Sequence, residues 1–319
     1  MSLSTAGQPP ESVALMNPRV SVIIPVRNGE RTLARAIDSA LSQTYAGRFE
    51  VIVIDNGSID GTRQVIESYG DRVVAIKEPM PGLPRALNRG AALSRGEYFA
   101  FLDADDEWML EKLAHIMPPF EATPQCVLAY HDAVEVDLVG RVQRDSYYYN
   151  GYSPPRFDEL LTPEGHICHI LPTAVVMRRS AFQQCGGFNE SLSSSQDLYM
   201  WIRAREIGPF LFLPEVLARR EFGPSSAREE WYIAGARELQ RALGERYPDR
   251  PVGDFVFATL VWCAGAAFRR GDYRSALRRS LAAIRLRPTR GISQISAKLC
   301  RRIARIHRAA HLTRVDRVS

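Results

Sequence analysis

Residues 97–108 read Glu-Tyr-Phe-Ala-Phe-Leu-Asp-Ala-Asp-Asp-Glu-Trp. The apolar run at 98–102 has the length and aromatic content of a strand buried on both faces. It runs straight into Asp103, Asp105, Asp106 and Glu107. Like charges this close repel, so the cluster is costly unless a cation or a set of hydrogen-bond donors sits among them. In an open α/β sheet, ligands bind outside the carboxyl ends of the strands. Oxygen ligands on a loop suit Mg²⁺ or Mn²⁺, ions that usually arrive with a phosphate. A solvated acidic turn is the competing reading, and the rest of the chain decides between them.

Outward from this stretch, strand and helix patterns alternate. Residues 20–26 are a β-rich run broken by Pro25, and Leu33, Ile37, Ala40 and Leu41 recur at helical spacing. Residues 51–54 form a second apolar strand ending at Asp55. The turn chemistry of 56–61 follows, then a short helix through Val65 and Ile66. A third strand spans 73–76 and a helix 85–93, and Ser94-Arg95-Gly96 turns into the acid-ended strand. This alternation predicts an α/β fold with a Rossmann-like, mostly parallel central sheet and helices on both faces. After Trp108 the pattern predicts a helix over 109–120 stopping at Pro118-Pro119, and strands at 127–130, 134–139 and 174–177. It also predicts a helix leading to Gly186-Gly187 and another over 197–206. Residues 143–155 read as a loop lining a site.

The chain has 319 residues, 45% hydrophobic and 24% charged, ordinary for a globular protein of one large domain or two. Five cysteines (Cys126, Cys168, Cys185, Cys263, Cys300) form no CxxC pair, which favours reduced thiols in a cytoplasm-like compartment. His166, Cys168 and His169 suggest zinc, but no fourth ligand is spaced to complete a site. Residues 1–19 lack the apolar segment of a signal peptide and read as a flexible tail. The longest uncharged apolar stretch, 255–268, is too short for a bilayer core of roughly 30 Å.

The net charge of +5 hides an asymmetry, because residues 269–319 hold 15 Lys+Arg against 2 Asp+Glu. The two parts are therefore expected to do different work. Within the C-terminal third, Gly271-Asp272-Tyr273, Ala276, Ala283 and Pro288 match half of a tetratricopeptide unit in spacing and read as a helical hairpin packed on the main domain. Farther on, Ile292, Ile295, Leu299, Ile303 and Ile306 fall on one helical stripe. Lys298, Arg301, Arg302, Arg305 and Arg308 flank it, the pattern of a helix lying on an anionic membrane surface. A helix packed on the main domain with a solvated basic face is the other reading, and nucleic acid is not the expected partner.

Several motifs occur together: Val-Ser-Val-Ile-Ile-Pro-Val-Arg-Asn (20–28), Val-Ile-Asp-Asn-Gly-Ser-Ile-Asp-Gly-Thr (53–62) and Ala-Leu-Asn-Arg-Gly (86–90). They continue with Gly-Glu-Tyr-Phe-Ala-Phe-Leu-Asp-Ala-Asp-Asp (96–106), Gly-Gly-Phe-Asn-Glu (186–190) and Gln-Asp-Leu-Tyr-Met-Trp-Ile-Arg (196–203). In these residues and this order the chain resembles the inverting nucleotide-sugar glycosyltransferases of family 2, over roughly residues 20–222. The resemblance implies a GT-A-type fold with a tail at 1–19, a catalytic domain at 20–225 and a helical C-terminal extension at 226–319. The catalytic domain would divide into a nucleotide-binding half (20–108) and an acceptor half (109–225). It also implies a nucleotide-sugar donor, expected to be a UDP-sugar with dTDP- and GDP-sugars open, and dependence on Mg²⁺ or Mn²⁺. The implied acceptor is a glycan or lipid-linked saccharide, met in the cytoplasm or at the inner face of the cell membrane.

Carried over by position, Pro25, Val26, Asn28 and Glu30 would line the base pocket, and Asp55 would accept a hydrogen bond from the base. Asn88 would contact the donor, Asp103 would face the ribose or sugar, and Asp105 would meet the metal on the diphosphate. Asp197 would be the catalytic base, with Gly187 and Gln196 in the loop between donor and acceptor. A carboxylate on the acceptor side can take the attacking hydroxyl's proton, worth about 10²–10⁴ in rate. On local chemistry alone, Asp55 and Asp60 could shape an Asx turn, and Asp197, three residues after Ser194, could belong to a capping box. Asn56, Leu87 and Gln196 stand where relatives often have an acid, an Arg and an acid, and no His lies near 219–222. A sugar-nucleotide pyrophosphorylase would want a Gly-rich, basic phosphate loop, of which Pro25-Val26-Arg27-Asn28-Gly29 is a poor version. A degenerate binding or scaffold protein is opposed by the retention of Asp103, Asp105 and Asp197. A dinucleotide-binding reading lacks its GxGxxG after the first strand.

Overall fold

The computed structural model describes residues 18–137, 139–146, 170–221, 227–250, 252–269 and 271–287, which fall in two compact units, 18–221 and 227–287. The first unit opens with β1 (Val20–Val26), α1 (Leu33–Leu41), β2 (Phe49–Asp55), α2 (Thr62–Ser68), β3 (Val74–Lys77), α3 (Leu83–Leu93) and β4 (Tyr98–Phe101). It continues with β5 (Glu107–Trp108), α4 (Lys112–Glu121), β6 (Leu128–Val136), β7 (Val142–Arg144), β8 (Val175–Arg178), α5 (Arg179–Cys185), α6 (Gln196–Ile207) and β9 (Phe210–Glu221).

The sheet runs β3-β2-β1-β4-β8-β6-β9-β5, with β7 attached to β6. Its first four strands are parallel, as the strand–helix alternation predicts. Every residue of β1 and β4 is buried, which is why these strands are near-continuous apolar runs and not alternating ones, the buried Ser21 being satisfied by hydrogen bonds to Glu50 and Gly96. β8 then enters antiparallel to both β4 and β6, and β6 pairs in parallel with β9. The sheet is therefore mixed, with its parallel half carrying the loops after β1, β2 and β4.

Helix α1 turns Leu33, Ala36, Ile37 and Ala40 into the core. Helix α3 lies close on β1 and β2 because of Gly90: a Cβ there would come within 2.7 Å of Ile54 Cδ1 and 2.9 Å of Ile23 Cγ2. Val22, Ile24, Val53, Ala100, Ile116 and Phe120 join one core cluster. Full burial of a branched or aromatic side chain contributes about 1.5–3 kcal/mol.

Three expectations need correction. Helix α4 does not stop at Pro118-Pro119 but carries both prolines and ends at Glu121. Met117 and Phe120 are fully buried, and their packing holds a last turn that lacks two N–H donors. The strands expected at 127–130 and 134–139 are one strand, β6. The polar His131-Asp132 step between them is an irregularity, where the register against β9 shifts. Strand β9 was not foreseen, since Pro214 and Glu215 break its pattern. Leu213 pairs with His131 and Val216 with Asp132, so the Pro-Glu pair bulges out of the ladder.

The second unit holds α7 (Ala227–Arg246), α8 (Phe255–Arg269) and α9 (Tyr273–Leu286) around a core of Ile233, Phe257, Leu260, Val261, Cys263 and Ala283. The expected hairpin is α8–α9, and Asp272 caps α9 by accepting the Ser275 N–H at 3.0 Å. Among the described residues no helix is long and apolar enough to cross a membrane. Residues 1–17 of the expected tail, residues 147–155 of the expected loop, His166, Cys168 and His169, and the basic stripe beyond 287 lie outside the described residues.

Candidate active site

The loops after β1 and β2 are tied to each other. Asn28, at a left-handed φ of 56°, donates its N–H to Ser58 Oγ at 2.9 Å, and its Oδ1 accepts the Ile59 N–H at 2.9 Å. Gly29 N–H donates to Thr62 Oγ1 at 2.8 Å, and Glu30 Oε2 accepts the Gly61 N–H at 3.1 Å. Asn28 and Glu30 thus lock the two loops at the strand ends. Val26 is buried at the end of β1 and its carbonyl accepts the Asn56 N–H at 2.8 Å. Pro25 is likewise buried within β1. Asp55 does shape a turn, accepting the Ser58 N–H on Oδ1 at 2.9 Å, while Oδ2 has no partner among the described residues. Asp60 turns wholly inward, onto the Thr62 N–H and hydroxyl and the Glu30 N–H. The Thr62 hydroxyl holds its carboxyl below the usual range.

At the end of β4, Leu102 makes the last ladder bond, to Ile23 O at 3.1 Å, and the chain turns. Asp106 is buried in that turn, accepting the Thr173 hydroxyl at 2.6 Å and the Glu221 N–H at 2.9 Å. Arg35 adds a second link, from the Asp105 carbonyl at 2.8 Å to the Glu221 carboxylate at 2.8 Å. The carboxylates of Asp103 and Asp105, half-buried, accept no hydrogen bond from any described residue. Burial, then Asp106, Asp105 and Asp197, push the Asp103 carboxyl well above the usual range, against the opposing pull of Arg220. Burial and Asp105 push Asp106 up to about 7.

Asp197 stands in the first turn of α6 and contributes its charge to the Asp103 cluster. The capping box does not form: the N-cap is Ser195, without a side-chain bond, and the buried Ser194 hydroxyl has no partner among the described residues. Asp197 Oδ1 accepts the adjacent Leu198 N–H, at 2.8 Å. Burial raises its carboxyl, while that N–H and the Arg220 charge pull it down. Beside it, Gln196 is buried, its Oε1 without a partner among the described residues. Asn88, the expected donor contact, is hydrogen-bonded to the loop at 188–190. Its Oδ1 accepts the Phe188 N–H at 2.8 Å, and its Nδ2 donates to Phe188 O at 2.9 Å and to Glu190 at 3.0 Å. It thereby holds the Gly186-Gly187 turn, where Gly187 has φ of 77° and a Cβ would meet Asn88 Oδ1 at 2.8 Å. Both conditions require glycine.

The residues present suit a hard divalent cation. Asp103 and Asp105 offer carboxylate oxygens that no protein donor satisfies, within a cluster whose mutual repulsion a cation relieves. Among the described residues no group of three or more His, Cys, Asp or Glu side chains forms a cage.

Three contributors escaped the sequence reading. Arg220 is the cation whose field reaches Asp103, Asp106 and Asp197, and it is anchored on Glu135 at 2.7 Å. Thr173 and the buried Lys112 sit directly beneath the acidic turn. Arg220 and Thr173 come from elements distant in sequence, so no local spacing announced them, and a lysine at the start of α4 carries no signal that its side chain turns inward.

Residues 21–186 match the family profile described as Glycosyl transferase family 2. An uncharacterized glycosyltransferase of Rickettsia typhi is 31% identical over 210 residues, 64% of this chain and 64% of that protein. Chondroitin synthase of Escherichia coli is 29% identical over 206 residues, 64% of this chain but only 29% of its own length. Thus the chain spans under two thirds of the length of these relatives. Among solved structures, Staphylococcus aureus TarS 1-349 in complex with UDP-GlcNAc aligns at a TM-score of 0.55 and 17% identity, over 88% of this chain and 85% of that one. A mannosyltransferase of Pyrobaculum calidifontis in complex with GDP-Man and Mn²⁺ aligns at 0.54 and 18% identity, over 92% and 83%. These likenesses confirm the GT-A-type fold. The profile covers more than half of the chain and includes the acidic turn, and the chain belongs to glycosyl transferase family 2.

Proposed function

We propose that this chain transfers a sugar from a nucleotide-sugar, a UDP-sugar in the first instance, to a hydroxyl of a glycan or lipid-linked acceptor, with inversion at the anomeric carbon. The observation that carries it is the pair Asp103 and Asp105, left without protein donors beside Asp197 at the carboxyl end of a parallel strand. The locked loops of Asn28, Glu30 and Asp55 present the free Asp55 oxygen to the base. Asp103 faces the ribose or sugar. Asp105 holds Mg²⁺ or Mn²⁺, which when bound neutralises charge gathering on the departing diphosphate. Asp197 takes the acceptor hydroxyl's proton as the new carbon–oxygen bond forms and the sugar–phosphate bond breaks on the opposite face. The Asn88-held Gly187 turn and Gln196 shape the wall between donor and acceptor.

The solved relatives' complexes with UDP-GlcNAc and with GDP-Man and Mn²⁺ support a nucleotide-sugar donor and a divalent cation. The names of the chondroitin and hyaluronan synthase relatives support a glycan acceptor. The basic sequence beyond residue 268 supports work at the inner face of a membrane. The test is a panel of UDP-, dTDP- and GDP-sugars with Mn²⁺, read by thermal shift and by release of nucleoside diphosphate. A true donor at 100 times its dissociation constant stabilises by about 2.7 kcal/mol. No stabilisation and no release with any donor would refute the reading.

A further inference from the structure

We propose that Thr173 is a positioning residue for the acidic turn, held from behind by the buried Lys112; the inference rests on the glycosyl-transfer reading above. Thr173 is fully buried in the short helical turn Pro172–Ala174 that leads into β8. Its hydroxyl accepts the Asp103 N–H at 3.1 Å and donates to Asp106 Oδ2 at 2.6 Å. Its carbonyl accepts Lys112 Nζ at 2.8 Å and Trp108 Nε1 at 2.9 Å. One residue therefore ties together four groups of the segment 103–112.

The placement explains why a hydroxyl is needed. Leu102 spends its N–H on Ile23, so Asp103 is the first residue beyond the ladder, and its N–H requires a new acceptor. That acceptor sets the direction in which the Asp103 side chain leaves the sheet. The same hydroxyl then pins Asp106, whose other oxygen is pinned by the Glu221 N–H. Asp105 lies between two anchored residues, and its own carbonyl is held by Arg35. The carboxylates of Asp103 and Asp105 are thus aimed without a protein donor touching either. A valine has the shape of threonine but can neither accept from Asp103 nor donate to Asp106.

Lys112 makes the arrangement costly enough to call for a reason. Its side chain is fully buried, with Nζ 3.5 Å from the centre of the Trp108 ring and one hydrogen bond, to the Thr173 carbonyl. Lysine is almost never fully buried unless partnered. Here the donor serves to fix the turn that carries the hydroxyl.

The experiment compares the full chain with Thr173→Val, Thr173→Ser and Lys112→Met. Calorimetry measures UDP binding with Mn²⁺, steady-state kinetics give kcat and KM for the donor, and melting is recorded without metal. Loss of an outer-shell partner costs about 10–100-fold in metal affinity or activity. Thr173→Val is therefore expected to weaken metal-dependent UDP binding and kcat at least about tenfold, and Thr173→Ser to restore both to within about twofold of wild type. Lys112→Met keeps the hydroxyl and is expected to weaken binding about threefold, which carries the test should the valine variant not fold. Binding and kcat within twofold of wild type in Thr173→Val, or in Lys112→Met where only that variant folds, would overturn the proposal. So would a serine variant as impaired as the valine one. A wild-type chain that turns over no donor would refute the glycosyl-transfer reading, and the binding and melting measurements would still judge Thr173.

Discussion

Asp106 accepts the backbone N–H of Glu221 at 2.9 Å, joining the turn after β4 to the end of β9 across 115 residues. With Thr173 on its other oxygen, Asp106 is the carboxylate of the cluster that ties the turn together, while those of Asp103 and Asp105 accept no hydrogen bond from a described residue. Asp106→Ala strands two buried donors, each costing about 1–3 kcal/mol. It is expected to lower unfolding stability by about 2–5 kcal/mol, read as a reduced urea midpoint at pH 7. An unchanged midpoint would show that the link is expendable.

Asp105→Asn is expected to do the opposite to the free protein. Its carboxylate has no donor to lose and only repulsion to relieve, so metal-free stability should hold or rise. Metal-dependent UDP binding should disappear. Calorimetry with UDP and Mn²⁺ decides, and wild-type affinity in the variant would remove Asp105 from the metal.

Asp197→Asn should keep nucleotide binding and lose about 10²–10⁴ in transfer rate, because the base acts on the acceptor. A base works when deprotonated. Burial raises the Asp197 carboxyl, so the acid limb of the rate profile should fall at higher pH than an ordinary carboxylate allows. Transfer within a few-fold of wild type, or a flat profile down to pH 4, would leave Asp197 as a first-turn residue of α6.

Burial holds the Lys112 ammonium well below its usual range. The unfolded chain keeps that proton up to about pH 10.4 while the folded chain releases it earlier, so this site adds stability as pH rises through that window. Lys112→Met removes the slope. Against wild type, the variant should therefore gain most in relative stability at neutral pH and least near pH 10. Urea midpoints at the two pH values give the comparison, and parallel changes in both proteins would contradict it.

The basic C-terminal segment predicts binding to anionic vesicles by the full chain and weaker binding after truncation at Pro288, since each Lys or Arg near an anionic leaflet adds about 1 kcal/mol. Co-sedimentation with vesicles containing phosphatidylserine tests it. Equal pelleting of both proteins, or of neither, would end the membrane reading.

Much of the candidate site was legible because the residues proposed to carry it end strands. Asp55 and Asp103 each follow an apolar run of the kind a buried parallel strand favours. Asp197 announced itself less clearly, since a Ser three residues earlier imitates a helix cap. Strand β9 was illegible for a local reason, the Pro214-Glu215 bulge, although its last residues complete the acidic turn. The bond that Asn88 accepts from the Phe188 N–H, 100 residues away, was also illegible, because no local spacing records it.

The sequence by itself determined the α/β class, the order of the first four strands along the chain and the carboxylates at their ends, because burial and turn chemistry act between neighbours in the chain. Only the tertiary structure decided which carboxylate builds and which is free. Asp103, Asp105 and Asp106 are chemically alike within four residues, and their roles differ because Thr173, Arg35, Arg220 and Glu221 reach them from distant elements. Hydrogen-bond partners and electrostatic fields are set by proximity in space, and spacing along a chain does not record it.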